Sequence, residues 1–106
     1  MTLDLAQVRA DLMAVRDERA EEITIRRGGD ELDAQTVRIE KASAIGQAVR
    51  SLNGEEYRAT AIVLGDIDLD IQVQDRFNDA NDIWFTVIFV NPNHDACTVA
   101  EAIAVQ

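Results

Sequence analysis

One cysteine, one histidine and one proline in 106 residues leave little material for catalysis, metal binding or disulfide bracing. Cys97 has no second cysteine to pair with and cannot build a metal site by itself, which fits a reducing compartment. His94 sits in an Asn-rich turn after Pro92, three residues before Cys97. Its ordinary pKa near neutrality suits a general base. A catalytic couple, however, is made by spatial geometry and an orienting third group rather than by closeness in sequence. The pair therefore reads as a solvated turn histidine and a small buried thiol. Long apolar runs are missing too. The longest, Ile83 to Val90, falls far short of the ~20 residues that span a bilayer. The first twenty residues are dense in charge and show no apolar signal-peptide core. The expectation is a soluble protein made in a cytoplasm, with no membrane partner.

Positive charge is scarce where it would be needed to hold nucleic acid. Ten bases stand against twenty acids, for a formal net charge of −10. Residues 66–106 carry Asp66, Asp68, Asp70, Asp75, Asp79, Asp82, Asp95 and Glu101 against the single base Arg76. Such a surface repels phosphate, so tight or sequence-specific nucleic-acid binding is not expected, although it would suit a wall that DNA slides past.

What is present is the pattern of one ordered globule spanning 1–106. Residues 3–20 read as a helix, because Leu5, Val8, Leu12 and Val15 recur at spacings of three and four, with Thr2 or Asp4 as the cap. Beyond residue 20 the period changes to two. Glu22–Arg26 and Thr36–Glu40 alternate around the turn residues Gly28-Gly29-Asp30. Residues 41–56, with Ile45 and Val49 among their apolar positions, read as a long mobile excursion suited to partner contact. Residues 57–64 form a strand with Tyr57, Ala59, Ala61 and Val63 on one face, and Ile71 and Val73 mark another. Ile83–Val90 is apolar on both faces and belongs in the middle of a sheet. Cys97–Val105 fits a last strand, although its alanines would allow a helix. The fold expected is mainly β with an N-terminal helix: a small antiparallel barrel or sandwich of five to six strands over 21–106.

Asp66-Ile67-Asp68-Leu69-Asp70 invites a calcium reading, but the glycine and glutamate that an EF-type loop needs at its sixth and twelfth positions are Ile71 and Phe77. Alternation puts the three carboxylates on one solvated face of an extended segment. Gly28-Gly29 lacks the Lys-Ser/Thr of a phosphate loop, and no bases interleave with Trp84, Phe85 and Phe89 as in a base-stacking platform. Neither a catalytic residue nor a cofactor or metal site is expected.

The stretch Val63–Phe77, then Trp84–Val90, Asn91-Pro92-Asn93 and Thr98-Val99-Ala100-Glu101-Ala102, resembles the head–tail joining (head-closure or adaptor) proteins of tailed bacteriophages. In that family a strand leads to a "GDRF"-like turn, here Gln74-Asp75-Arg76-Phe77, and an upstream "TIRR" stands at Thr24–Arg27. The glycine before the Asp-Arg turn is replaced by Gln74, and a hairpin "DG" by Asn78–Asp82. The resemblance implies a β-barrel protomer of the virion neck, in a ring of its own copies between portal or adaptor and tail proteins, helping to retain packaged DNA without catalysis. Leu5, Val8, Leu12, Val15, Ile45 and Val49 are then candidates for the interface, and Asp66, Asp68, Asp70 and Asp75 for an acidic lumen. An alternative is a small acidic module that binds a basic protein, and a third is a divalent-cation enzyme using Asp66, Asp68 and Asp70.

Overall fold

The computed structural model describes residues 4–41, 49–52, 54–91 and 96–105. Helix α1 (Leu5–Glu18) starts where the Asp4 carboxylate accepts from the N–H groups of Ala6 and Gln7, at 3.1 and 3.3 Å. Those donors have no partner inside the helix, which is why an aspartate stabilises its first turn. Strands follow as β1 (Glu21–Ile23), β2 (Arg26–Arg27), β3 (Asp30–Glu31), β4 (Gln35–Lys41), β5 (Val49–Leu52), β6 (Glu55–Arg58), β7 (Ala61–Gly65), β8 (Arg76–Asn78), β9 (Trp84–Val90) and β10 (Thr98–Val105). Eight of them form one antiparallel sheet in the order β1-β4-β7-β10-β9-β8-β2-β3, and β5 and β6 make a separate hairpin.

The curl of the sheet follows from its connectivity. β1 lies at one edge, and β2, next to the opposite edge, begins three residues after β1 ends. Only Thr24 and Ile25 bridge them, so the two sides of the sheet stand within ~11 Å there. A flat eight-strand sheet is far wider than that. The sheet therefore bends into a barrel-like form, mainly β with one helix, as the sequence pattern led one to expect. Its interior is a single cluster of Ile23, Ile25, Val37, Ala61, Val63, Ile71, Phe77, Phe85, Val87, Ala100 and Ala102. Phe77 and Phe85 stack with centroids 5.4 Å apart, while the alanines of β7 and β10 keep the facing wall thin enough for those rings.

β9 lies between β10 and β8, in the interior position that its two apolar faces predict, and β10 is a strand. A register shift between Glu101 and Ala102 marks a bulge against β9.

Several expectations need correction. The strand expected over Glu22–Arg26 breaks at Thr24–Ile25, because the chain there crosses from one side of the sheet to the other. The strand expected over 57–64 breaks at Ala59–Thr60. Thr60 turns onto β10, its N–H donating to the Ala102 carbonyl at 2.8 Å and its Oγ1 accepting from the Ala104 N–H at 2.8 Å. Within the expected excursion 41–56, β5 and β6 pair as a hairpin around Gly54, whose φ of 82° suits a glycine. Ile45 lies outside the described residues.

The helix also departs from its apolar stripe. Leu5 and Val15 are 44% and 42% exposed, and no helical residue is fully buried. Val8, Arg9, Leu12, Met13 and Arg16 form the half-buried side, so arginines share the covered face with Val8 and Leu12. Arg38 of β4 holds the helix end, donating to the Val15 carbonyl at 2.7 Å and to Glu18 at 3.3 Å.

Candidate functional site

Residues 66–83 connect β7 to β9 with one three-residue strand, β8, and otherwise with turns. Asp66–Asp70 is not extended, and its carboxylates do not share one face. At Gly65 a Cβ would stand 2.6 Å from the Leu69 side chain, so the missing side chain lets Leu69 fold back onto the strand end. The Leu69 N–H then closes a turn on the Asp66 carbonyl at 3.0 Å. Arg9 of the helix takes Asp66 in a two-pronged pair, Nε to Oδ1 at 2.7 Å and Nη2 to Oδ2 at 2.8 Å. That hydrogen bond holds the Asp66 carboxyl below the usual carboxylate range, against an opposing effect of burial.

Asp70 and Asp75 are drawn instead to Arg27 of β2. Its Nε and Nη2 meet Asp75 Oδ1 and Oδ2 at 3.0 and 2.9 Å, and Nη2 also reaches Asp70 Oδ1 at 2.8 Å. Hydrogen bonds from Asp75 first, then Asp70, push the Arg27 guanidinium further up. Asp75 is 2% exposed and also accepts from the Gln72 N–H at 2.7 Å, so it cannot face a lumen. Burial is tolerated because the planar fork and a backbone donor satisfy both oxygens. Gln35 of β4 grips the same loop, its amide donating to the Asp70 carbonyl at 3.0 Å and accepting from the Asp70 N–H at 2.7 Å. Of the four acids expected to line a surface, Asp68 alone is exposed without an ion pair among the described residues.

The Asp75 turn has a demanding backbone. Asp75 N–H bonds the Gln72 carbonyl at 3.1 Å, and Gln74 stands at φ 76° in the third turn position, where a type II turn favours glycine. Gln74 N–H donates to the Val87 carbonyl and Val87 N–H to the Asp75 carbonyl, both at 2.8 Å. Two residues thus face one, a bulge whose first residue lies in the left-handed region. Further along, Asp79 closes the next turn by accepting from the N–H groups of Asn81 and Ile83, at 2.9 and 3.0 Å, and from Lys41 Nζ at 3.0 Å. Burial acts to raise its carboxyl, and these three donors outweigh it and leave it lowered.

Beside this loop, Arg26 and Arg76 are cross-strand neighbours at the β2–β8 bridge. Their guanidinium carbons lie 5.2 and 5.6 Å from the Trp84 ring centroid. Each such stack contributes about 0.5–1 kcal/mol at an exposed site. Arg26 also pairs with Glu31 at 2.9 Å across the β2–β3 hairpin, whose two-residue turn has Gly28 at φ 63°. An open cleft of about 580 Å³ runs between this hairpin and the Gln72–Arg76 turn.

Sequence reasoning missed Arg27, Gln35, Lys41 and the Arg26–Trp84–Arg76 cluster. The partners of Arg27, Gln35 and Lys41 lie 35 to 48 residues away, and no local pattern encodes such distances. The one available signal was the "TIRR" and "DRF" pieces, which the fold brings together. Among the described residues no group of three or more His, Cys, Asp and Glu side chains is placed to hold a metal ion. His94 lies outside them. Cys97 is half-buried, and burial together with the Asp66 charge pushes its thiol up, away from the reactive thiolate. No described helix is long and apolar enough to cross a membrane. Compared with known proteins, the chain matches no family model and none of the curated proteins.

Proposed function

We propose that the chain is a non-enzymatic structural subunit of a tailed-phage neck, joining portal or adaptor to tail and helping retain packaged DNA. One observation carries this reading. Two of the pieces of sequence that carry the resemblance, Thr24–Arg27 and Gln74–Phe77, form a single structural unit. Arg27 clamps Asp75, Ile25 and Phe77 enter the core together, and Gln74 adopts the φ that the family's glycine would serve. A motif whose members support one another in space is more than a chance string. The acidic-module alternative draws no such support, because Asp66, Asp70 and Asp75 are spent on internal arginines. Of the proposed lumen acids, Asp68 remains available, within a chain of net charge −10.

Deleting the gene from the phage genome that carries it tests the reading. Electron microscopy of the lysate is expected to show separate heads and tails, with heads that have lost DNA. Intact, infectious tailed particles would overturn it, as would a gene neighbourhood without portal, capsid and tail genes.

A further inference from the structure

We infer that Arg26, Arg76 and Trp84 form a docking face for carboxylates presented by a second copy of this chain. The inference rests on the assembly reading only in requiring that copies associate, and it names the surface through which they do.

Like charges placed directly opposite across a strand pair are destabilising, yet Arg26 and Arg76 occupy the one β2–β8 bridge. The fold offsets this only in part. Arg26 has the exposed Glu31 at 2.9 Å, a surface pair that a better-placed carboxylate can displace. Arg76 has no ion-pair partner among the described residues, although it is the only Lys or Arg in residues 66–106. The neighbouring Arg27, by contrast, is already paired with both Asp70 and Asp75. Trp84 holds both guanidinium groups beside its ring, and a guanidinium so held keeps its planar N–H fork for a carboxylate. Tryptophan and arginine are also among the residues enriched where an interface concentrates its binding energy.

Charge chooses the occupant. Nucleic acid, negative along its whole length, meets a chain of net charge −10, whereas a second copy offers local carboxylates at the exposed Asp68 and Asp82. Arginine cannot dock on arginine, so the face meets a different patch of the second copy, and where that contact repeats head-to-tail it can close into a ring.

Sedimentation of the full chain across a concentration series, read together with Trp84 emission, tests this directly. Trp84 is the only tryptophan, so its spectrum reports on this face alone. Wild type is expected to associate at low salt with a shift in Trp84 emission. It should dissociate in about 1 M salt, where the Debye length falls to ~3 Å. Arg76→Glu should weaken association at least about tenfold with an unchanged melting temperature, and Arg76→Gln should weaken it less. Association that is indifferent to both substitutions overturns the docking face and leaves the neck reading standing. A wild-type chain that stays monomeric at every concentration overturns the second copy as occupant. If poly-glutamate still shifts Trp84 emission of that monomer, the face belongs to a different acidic protein.

Discussion

The wall formed by β4, β7, β10 and β9 and the connection 66–83 enclose the same core by different means. The wall is held by continuous antiparallel ladders and fills the interior with Val37, Ala61, Val63, Phe85, Val87, Ala100 and Ala102. The connection has almost no ladder. It is positioned by side chains reaching in from elsewhere: Arg9 on Asp66, Arg27 on Asp70 and Asp75, Gln35 on Asp70, Lys41 on Asp79. Ladders distribute stability over many weak bonds, whereas a few charged ties concentrate it in single residues.

Breaking the wall has the largest expected effect. Phe85→Ala removes a buried ring stacked on Phe77 and should cost about 3–5 kcal/mol in urea unfolding, with both regions lost together. Asp75→Asn tests the connection. It keeps the shape, removes the charge facing Arg27, and should cost about 2–3 kcal/mol. Hydrogen exchange should then show residues 70–78 losing protection while Val63, Ala100 and Ala102 keep theirs, and uniform loss would erase the contrast.

Acid sharpens the contrast with a smaller effect. Asp66 and Asp79 have folded-state pKa values below the unfolded value of about 3.9. Their stabilisation is therefore present above that pH and lost as pH falls through the depressed folded values. The urea midpoint should fall below about pH 4, and Asp79→Asn should flatten that dependence by removing one titrating group.

Gln74→Gly is expected to gain about 0.5–1 kcal/mol by relieving the left-handed backbone at φ 76°, seen as a higher melting temperature. Val15→Ser on the exposed helix face should change stability by less than about 0.5 kcal/mol. A larger loss would mean that the helix packs by its apolar stripe after all.

How much was legible follows the same division. β4 and β10 were readable because the period of two records which side of a strand meets the core, and β9 because a short run apolar on both faces fits an interior strand. The helix was readable in its place but not in its packing, since its covered face mixes Val8 and Leu12 with Arg9 and Arg16. Residues 66–71 misled because Asp-Ile-Asp-Leu-Asp alternates as a strand does, while Leu69 folding over Gly65 and the pull of Arg9 bend it into a turn. The candidate site was the least legible part. Asp75 looks like any other acid of the segment until Arg27 is placed beside it.

The amino-acid order alone decided a mainly β protein with a capped helix, a doubly apolar strand at Trp84–Val90 and a strongly acidic second half, because propensity, period and charge are local properties. Tertiary structure decided which acid meets which base, that Asp75 is buried rather than displayed, and that Arg26 and Arg76 share one tryptophan. Those pairings are set by closure of the sheet across Thr24–Ile25, which brings distant residues together at separations that no local pattern specifies.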